Sequence, residues 1–118
     1  MAEDAVWEEI QNFLNNNPQP GDEKRFAMGE IRYSMGMHRY YLESKISSQN
    51  QIDQILRIVE EYGLKLDVRE PPKDMKFNIV LWKGDEYIGR VDHTRLILMP
   101  QRLSRELFSK LLSVYWRK

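Results

Sequence analysis

Val6, Trp7, Ile10, Phe13 and Leu14 recur at intervals that place them on one side of an α-helix. The spacing predicts a helix over 5–15, inside an N-terminal helical segment of residues 1–17. Asp4 is its N-cap, and Glu8 and Glu9 lie near the positive end of its dipole. Pro18, Pro20 and Gly21 then stop it, and residues 18–24 read as a Pro/Gly loop suited to a mobile tether. Beyond the loop the apolar period falls to two. Ile31, Tyr33, Met35 and Met37 alternate, and Gly29 and Gly36 argue against a helix interior, so strands are predicted over 26–34 and 37–44.

A second helix follows over 48–62, with Ile52, Ile55, Leu56, Ile58, Val59 and Tyr62 on its apolar face. Ser47 or Ser48 caps its start, and Gly63 stands where a left-handed residue closes a helix. Leu64, Leu66 and Val68 alternate as a strand that Pro71-Pro72 ends. Residues 75–83 are rich in strand formers, Gly84-Asp85 suits a two-residue turn, and Glu86 through Met99 returns as one strand. In this hairpin Lys83 opposes Glu86 and Trp82 opposes Tyr87. An unbroken register would then set Ile79 against Arg90 and Phe77 against Asp92. A β-bulge at Gly89 repairs the parity, bringing Ile79 to Val91 and Phe77 to His93 and turning Arg90 and Asp92 outward.

Pro100 ends that strand and opens a last helix to 116, with Leu103, Leu107, Phe108, Leu111, Leu112 and Tyr115 as its apolar row. The order α-β-β-α-β-β-β-α describes an α+β protein, with a single antiparallel-rich sheet of about five strands packed with three helices. Which sheet face the helices cover is left open by the pattern.

The length of 118 residues fits one domain, and 42% hydrophobic residues supply an ordinary core. The absence of cysteine excludes disulfides, thiolate nucleophiles and Cys-ligated metal. No apolar stretch is long enough for a membrane span, and the acidic Met1-Ala2-Glu3-Asp4 start is unlike a secretory signal. A cytoplasmic location without a membrane partner is therefore expected. Net charge is zero but unevenly spread. Residues 1–23 carry six acids and no base, whereas residues 90–118 carry seven bases against Asp92 and Glu106.

Phosphate-cradling Gly-rich loops, nucleophile elbows, HExxH helices and EF-hand loops are all missing from the sequence. The only histidines are His38 and His93, too few for a three-histidine metal site. A small enzyme would have to pair them with each other or with a carboxylate such as Glu30 or Glu43. The plainer reading is a surface imidazole at 38 and a rim residue at 93 against Phe77. No catalytic set, metal or cofactor is expected.

Two binding surfaces compete. Arg90, Arg95, Arg102, Arg105, Lys110, Arg117 and Lys118, with Trp116 for stacking, form a basic set centred on the last helix that could meet nucleic acid. Against it stand the zero net charge and the acidic first helix, an electrostatic partner within the chain. Tyr33, Tyr40, Trp82 and Tyr87, with methionines nearby, form an aromatic set of the kind enriched at protein interfaces. The leading expectation is a non-enzymatic protein-binding module of adaptor, inhibitor or immunity type, whose partner is another protein or a second copy. Nucleic-acid binding is the alternative, and the histidine enzyme the third.

Overall fold

The computed structural model describes residues 2–26 and 28–116. Helix α1 (Ala2–Asn15) leads into strands β1 (Lys24–Phe26), β2 (Gly29–Ser34) and β3 (Arg39–Lys45). Helix α2 (Gln49–Glu61) follows, then β4 (Lys65–Arg69), β5 (Asn78–Lys83), β6 (Glu86–Asp92) and β7 (Arg95–Leu98). A 3-10 turn (Pro100–Arg102) and helix α3 (Arg105–Trp116) follow. The seven strands make one sheet in the order β1-β2-β3-β7-β6-β5-β4, and every pairing is antiparallel. The first three strands form one meander and the last four another. Helix α2 carries the chain from the middle of the sheet to its far edge, and the second meander returns to pair β7 with β3.

The α+β class, the single sheet and the three helices agree with the sequence pattern, but the strand count is seven rather than five. Both additions are chain reversals without a proline or an Asn-Gly signal. Residues between Phe26 and Gly29 separate β1 from β2, and His93-Thr94 breaks the expected strand 86–99 into β6 and β7. Asp92 makes the second break. Its carboxylate accepts from the Thr94 amide (2.8 Å), the Thr94 hydroxyl (2.6 Å) and the Arg95 amide (3.1 Å). A short acidic side chain can bond the backbone two residues on and so imitate a turn. Asp92 therefore does not point into solvent as expected, being only 1% exposed.

Burial pushes the Asp92 carboxyl up, but the hydrogen bonds from Thr94 and Arg95 outweigh it and hold the group below its ordinary value. A depressed carboxyl stabilises the fold above about pH 4 and loses that contribution as pH falls through the lowered value. Asp92→Ala should cost about 2 kcal/mol at neutral pH. The deficit should shrink in denaturant melts taken below pH 4, whereas a loss independent of pH would contradict this account.

The bulge occurs where β6 must change parity. Trp82 pairs with Tyr87 and Leu81 with Gly89, so Ile88 is the extra residue, one position before the expected site. Ile79 then meets Val91, as the pattern required. Gly89 is needed because a Cβ there would sit 2.2 Å from the Ile97 carbonyl oxygen on β7. At α2 the local signals agree with the fold, whereas α1 starts at Ala2, so Asp4 lies within that helix rather than at its N-cap. Ser48 caps α2 by accepting from the Gln51 amide, and Gly63 adopts φ +73°. Pro100 starts the 3-10 turn rather than α3, whose first turn is instead held by the Ser104 hydroxyl, accepting from the Leu107 amide at 3.1 Å.

All three helices lie on one face. Ile10 and Leu14 of α1, Ile52, Ile55 and Val59 of α2, and Leu107, Phe108, Leu111 and Leu112 of α3 share one core with the sheet. The sheet contributes Ile31, Leu42, Leu81, Val91, Leu96 and Leu98. The strand registers place those six residues on the same side. Trp7 packs on Phe108 with ring centroids 5.1 Å apart, joining α1 to α3. Among the described residues no helix lies over the opposite face of the sheet. No helix among the described residues is long and apolar enough to cross a membrane.

Candidate functional site

Strand alternation defines the uncovered face. One row crosses all seven strands: Arg25, Glu30, Glu43, Ile97, Arg90, Val80 and Asp67, each paired in register with the next. Alongside it Arg32 pairs with Tyr41 on one half of the sheet, and Tyr87, Trp82 and Lys65 form a row on the other. Trp82 and Tyr87 meet edge to face, with centroids 5.9 Å apart and planes at 79°. Ile97 is 6% exposed yet lies outside the helix-side core. Its cover comes from neighbours on the open face itself.

This face is basic. The first meander places Arg25, Arg32, Arg39 and Lys45 there against Glu30 and Glu43. The second places Lys65, Arg69, Arg90 and Arg95 against Asp67 and Asp92. Eight bases against four acids give +4, and because the chain sums to zero the remaining residues carry −4. The charge gradient along the sequence does not survive folding in the same form. Helix α1 packs beside α3, and Arg105 reaches Glu8 at 3.5 Å. The polarity of the folded protein runs instead between its open sheet face and the rest.

Four of the eight cations of this face have acidic neighbours among the described residues. Glu43 lies between Arg95 (3.4 Å) and Arg32 (3.7 Å), Arg25 contacts Glu30 (3.5 Å), and Arg69 contacts Asp67 (2.7 Å). Arg90 differs. Its Nε is buried without a hydrogen-bond partner, and among the described residues it makes no ion pair. Arg90 and Arg95 line a recess of about 290 Å³ with Tyr41, Tyr87, Ile97, Ser34 and Met37. A wider hollow of about 750 Å³ lies towards the other end of β3, walled by Arg25, Glu30, Glu43 and Lys45.

The two sets of candidate residues are therefore regrouped. Trp82 and Tyr87 of the aromatic set share the open face with Arg90 and Arg95 of the basic set. Tyr33 and Tyr40 do not join them, because they have the same parity as Ile31 and Leu42 and so lie on the helix side. There Tyr40 packs against Tyr33 (5.0 Å) and against Phe13 of α1 (5.8 Å). Its hydroxyl donates to the Gln19 carbonyl. The Gln19 amide also donates to Asp22 at 2.8 Å, so the loop read as a tether is fastened to the sheet.

The basic set centred on the last helix is dispersed as well. Arg102 belongs to the 3-10 turn, where it donates to the Tyr87 carbonyl and approaches Glu86 at 3.9 Å. Arg105 is engaged with Glu8, and Lys110 is exposed on α3. Arg117, Lys118 and the side chain of Trp116 lie outside what is described.

The histidines are not brought together. His38 is in the β2–β3 turn with φ +54°, not on a strand as expected, and His93 is in the β6–β7 turn. These turns flank opposite ends of β3, about 20 Å apart at the rise of an extended strand. The His93 ring packs against Phe77 at 6.4 Å, and its Nδ1 accepts from the Lys76 amide at 3.2 Å. Asp92 is occupied with its own turn. Among the described residues no three His, Asp or Glu side chains are grouped to hold a metal ion.

Sequence reasoning missed Tyr41 and Ile97, both on the open face. The signal available was parity, since Tyr41 neighbours the core residue Leu42 and must face away from it. Comparison with protein-family models, curated proteins and solved structures returns no match, so the functional reading rests on this face.

Proposed function

We propose that the protein is a small binding module that engages another protein through the open face of its sheet. One observation carries the reading: all three helices pack on the same side, leaving Trp82, Tyr87 and Tyr41 among arginines on the other. Trp, Tyr and Arg are the side chains that most often dominate binding energy at protein interfaces. The +4 charge of the face favours an acidic partner and opposes stacking of two copies through the same face.

The nucleic-acid alternative moves with the residues. Its α3-centred form loses support because Arg102 and Arg105 have acidic partners. What remains of it is the meeting of Arg90 and Arg95 with the aromatic pair. Affinity capture from an extract of the source organism, with and without nuclease and at about 0.1 and 0.5 M salt, separates the two. A protein partner should survive nuclease at both salt concentrations, although its contacts to the +4 face weaken as salt rises. Capture that vanishes with nuclease would replace this reading by the alternative.

A further inference from the structure

We propose that the recess between Tyr41 and Tyr87 is a carboxylate-binding subsite, in which Arg90 receives an aspartate or glutamate side chain of an acidic protein partner. The inference rests on the protein-binding reading above and names the partner's chemistry.

Arg90 stands between Ile97 of β7 and Val80 of β5 in the row that crosses the sheet. Apolar neighbours on both sides hold the guanidinium stem, and its buried Nε–H has no acceptor. A buried donor left unsatisfied costs about 1–3 kcal/mol, which a turn of the Arg90 side chain toward an arriving anion would recover. A carboxylate suits the guanidinium fork because two parallel N–H groups can meet its two oxygens. Arg95, already shared with Glu43, borders the same recess. Burial pushes the Tyr87 phenol up, partly offset by Arg90, Arg102 and Arg95, so at neutral pH it keeps its proton and can donate to an anion.

Size and charge distribution select the occupant. At about 290 Å³ the recess lies at the small end of ligand clefts, which run about 300–1,000 Å³. It has room for a side chain rather than a cofactor. A nucleic-acid track needs a succession of unpaired cations to replace counterions. Here Arg90 is the central uncompensated one. Arg39 and Lys45 stand at the two ends of β3, and Lys65 is on the edge strand β4. A single unmatched guanidinium among Ile97, Val80, Met37 and aromatic rings complements an acidic side chain flanked by apolar ones. A second copy would bring another +4 face against the first.

The probe is a capped octapeptide of alternating glutamate and leucine, with the glutamine–leucine peptide and octauridylate as comparison arms. Affinity is measured by calorimetric titration for every variant, and in the unsubstituted protein binding is also followed on the Arg90 Nε–H resonance by NMR. The glutamate peptide should shift that resonance saturably and the glutamine peptide should not. Arg90→Gln should weaken binding at least 10-fold while amide shifts away from the recess are retained, and Arg90→Lys should fall between. An unmoved Arg90 resonance, undiminished binding by Arg90→Gln, tighter binding of octauridylate, or peptide-independent dimerisation through this face would each overturn the proposal. If Trp82 and Tyr87 prove necessary for capture of the cellular partner while Arg90→Gln captures it normally, the subsite falls and the protein-binding face stands. If neither matters, the reading of the face falls with it.

Discussion

Replacing Trp82 and Tyr87 together by alanine is expected to lower affinity for the captured partner at least 100-fold while the domain stays folded. Aromatic anchors at the centre of an interface commonly cost about 2 kcal/mol or more each on truncation, and 2.8 kcal/mol is a factor of 100. The two effects will not simply add, because the rings touch at 5.9 Å and removing one already exposes the other. The fold should tolerate the change, because neither ring belongs to the helix-side core. Loss of their edge-to-face contact costs about 0.5–1.5 kcal/mol. Calorimetric titration beside a thermal melt provides both readings. Unchanged affinity in a folded double variant would remove this face as the binding surface.

The largest effect on stability is expected from Gly89→Ala. A single methyl group is added, but it would meet the Ile97 carbonyl oxygen at 2.2 Å, and that oxygen belongs to a neighbouring strand. Side-chain rotation cannot relieve such a clash, so β6 and β7 would have to move apart beside the bulge. Overpacking of this kind costs about 3 kcal/mol or more, a drop of roughly 10 °C in melting temperature for a chain this long. Gly36→Ala is the control. Its added carbon has only the Ser34 hydroxyl at 4.0 Å, and the change should stay within about 0.5 kcal/mol. Equal melting temperatures for the two variants would show that the strand spacing at Gly89 is not tight.

The bulge beside Gly89 belongs to the part of the fold that is legible in the sequence. The bulge was legible because an uninterrupted hairpin would have buried Arg90 and Asp92 among apolar partners, and local parity alone demanded a correction. The helices were legible for the same reason, each carrying a complete apolar stripe. The break at His93-Thr94 was hidden because its agent is a side chain, Asp92, that acts on its own backbone. Tyr33 and Tyr40 were separable from Trp82 and Tyr87 by parity alone, because they share that of Ile31 and Leu42. The sharing of one face by three helices depends on contacts such as Trp7–Phe108, about 100 residues apart in sequence, which no local pattern encodes.

The topology carries one more consequence. Each meander closes on itself through short connections, so the β3–β7 pair is a seam between two halves that the backbone joins through α2 and its flanking segments. The recess straddles that seam, with Ser34, Met37 and Tyr41 on one bank and Tyr87, Arg90, Arg95 and Ile97 on the other. Whatever fills it staples the halves together. Occupancy is then coupled to the resistance of the whole sheet to being pulled apart or melted, and ligand concentration becomes a term in its stability.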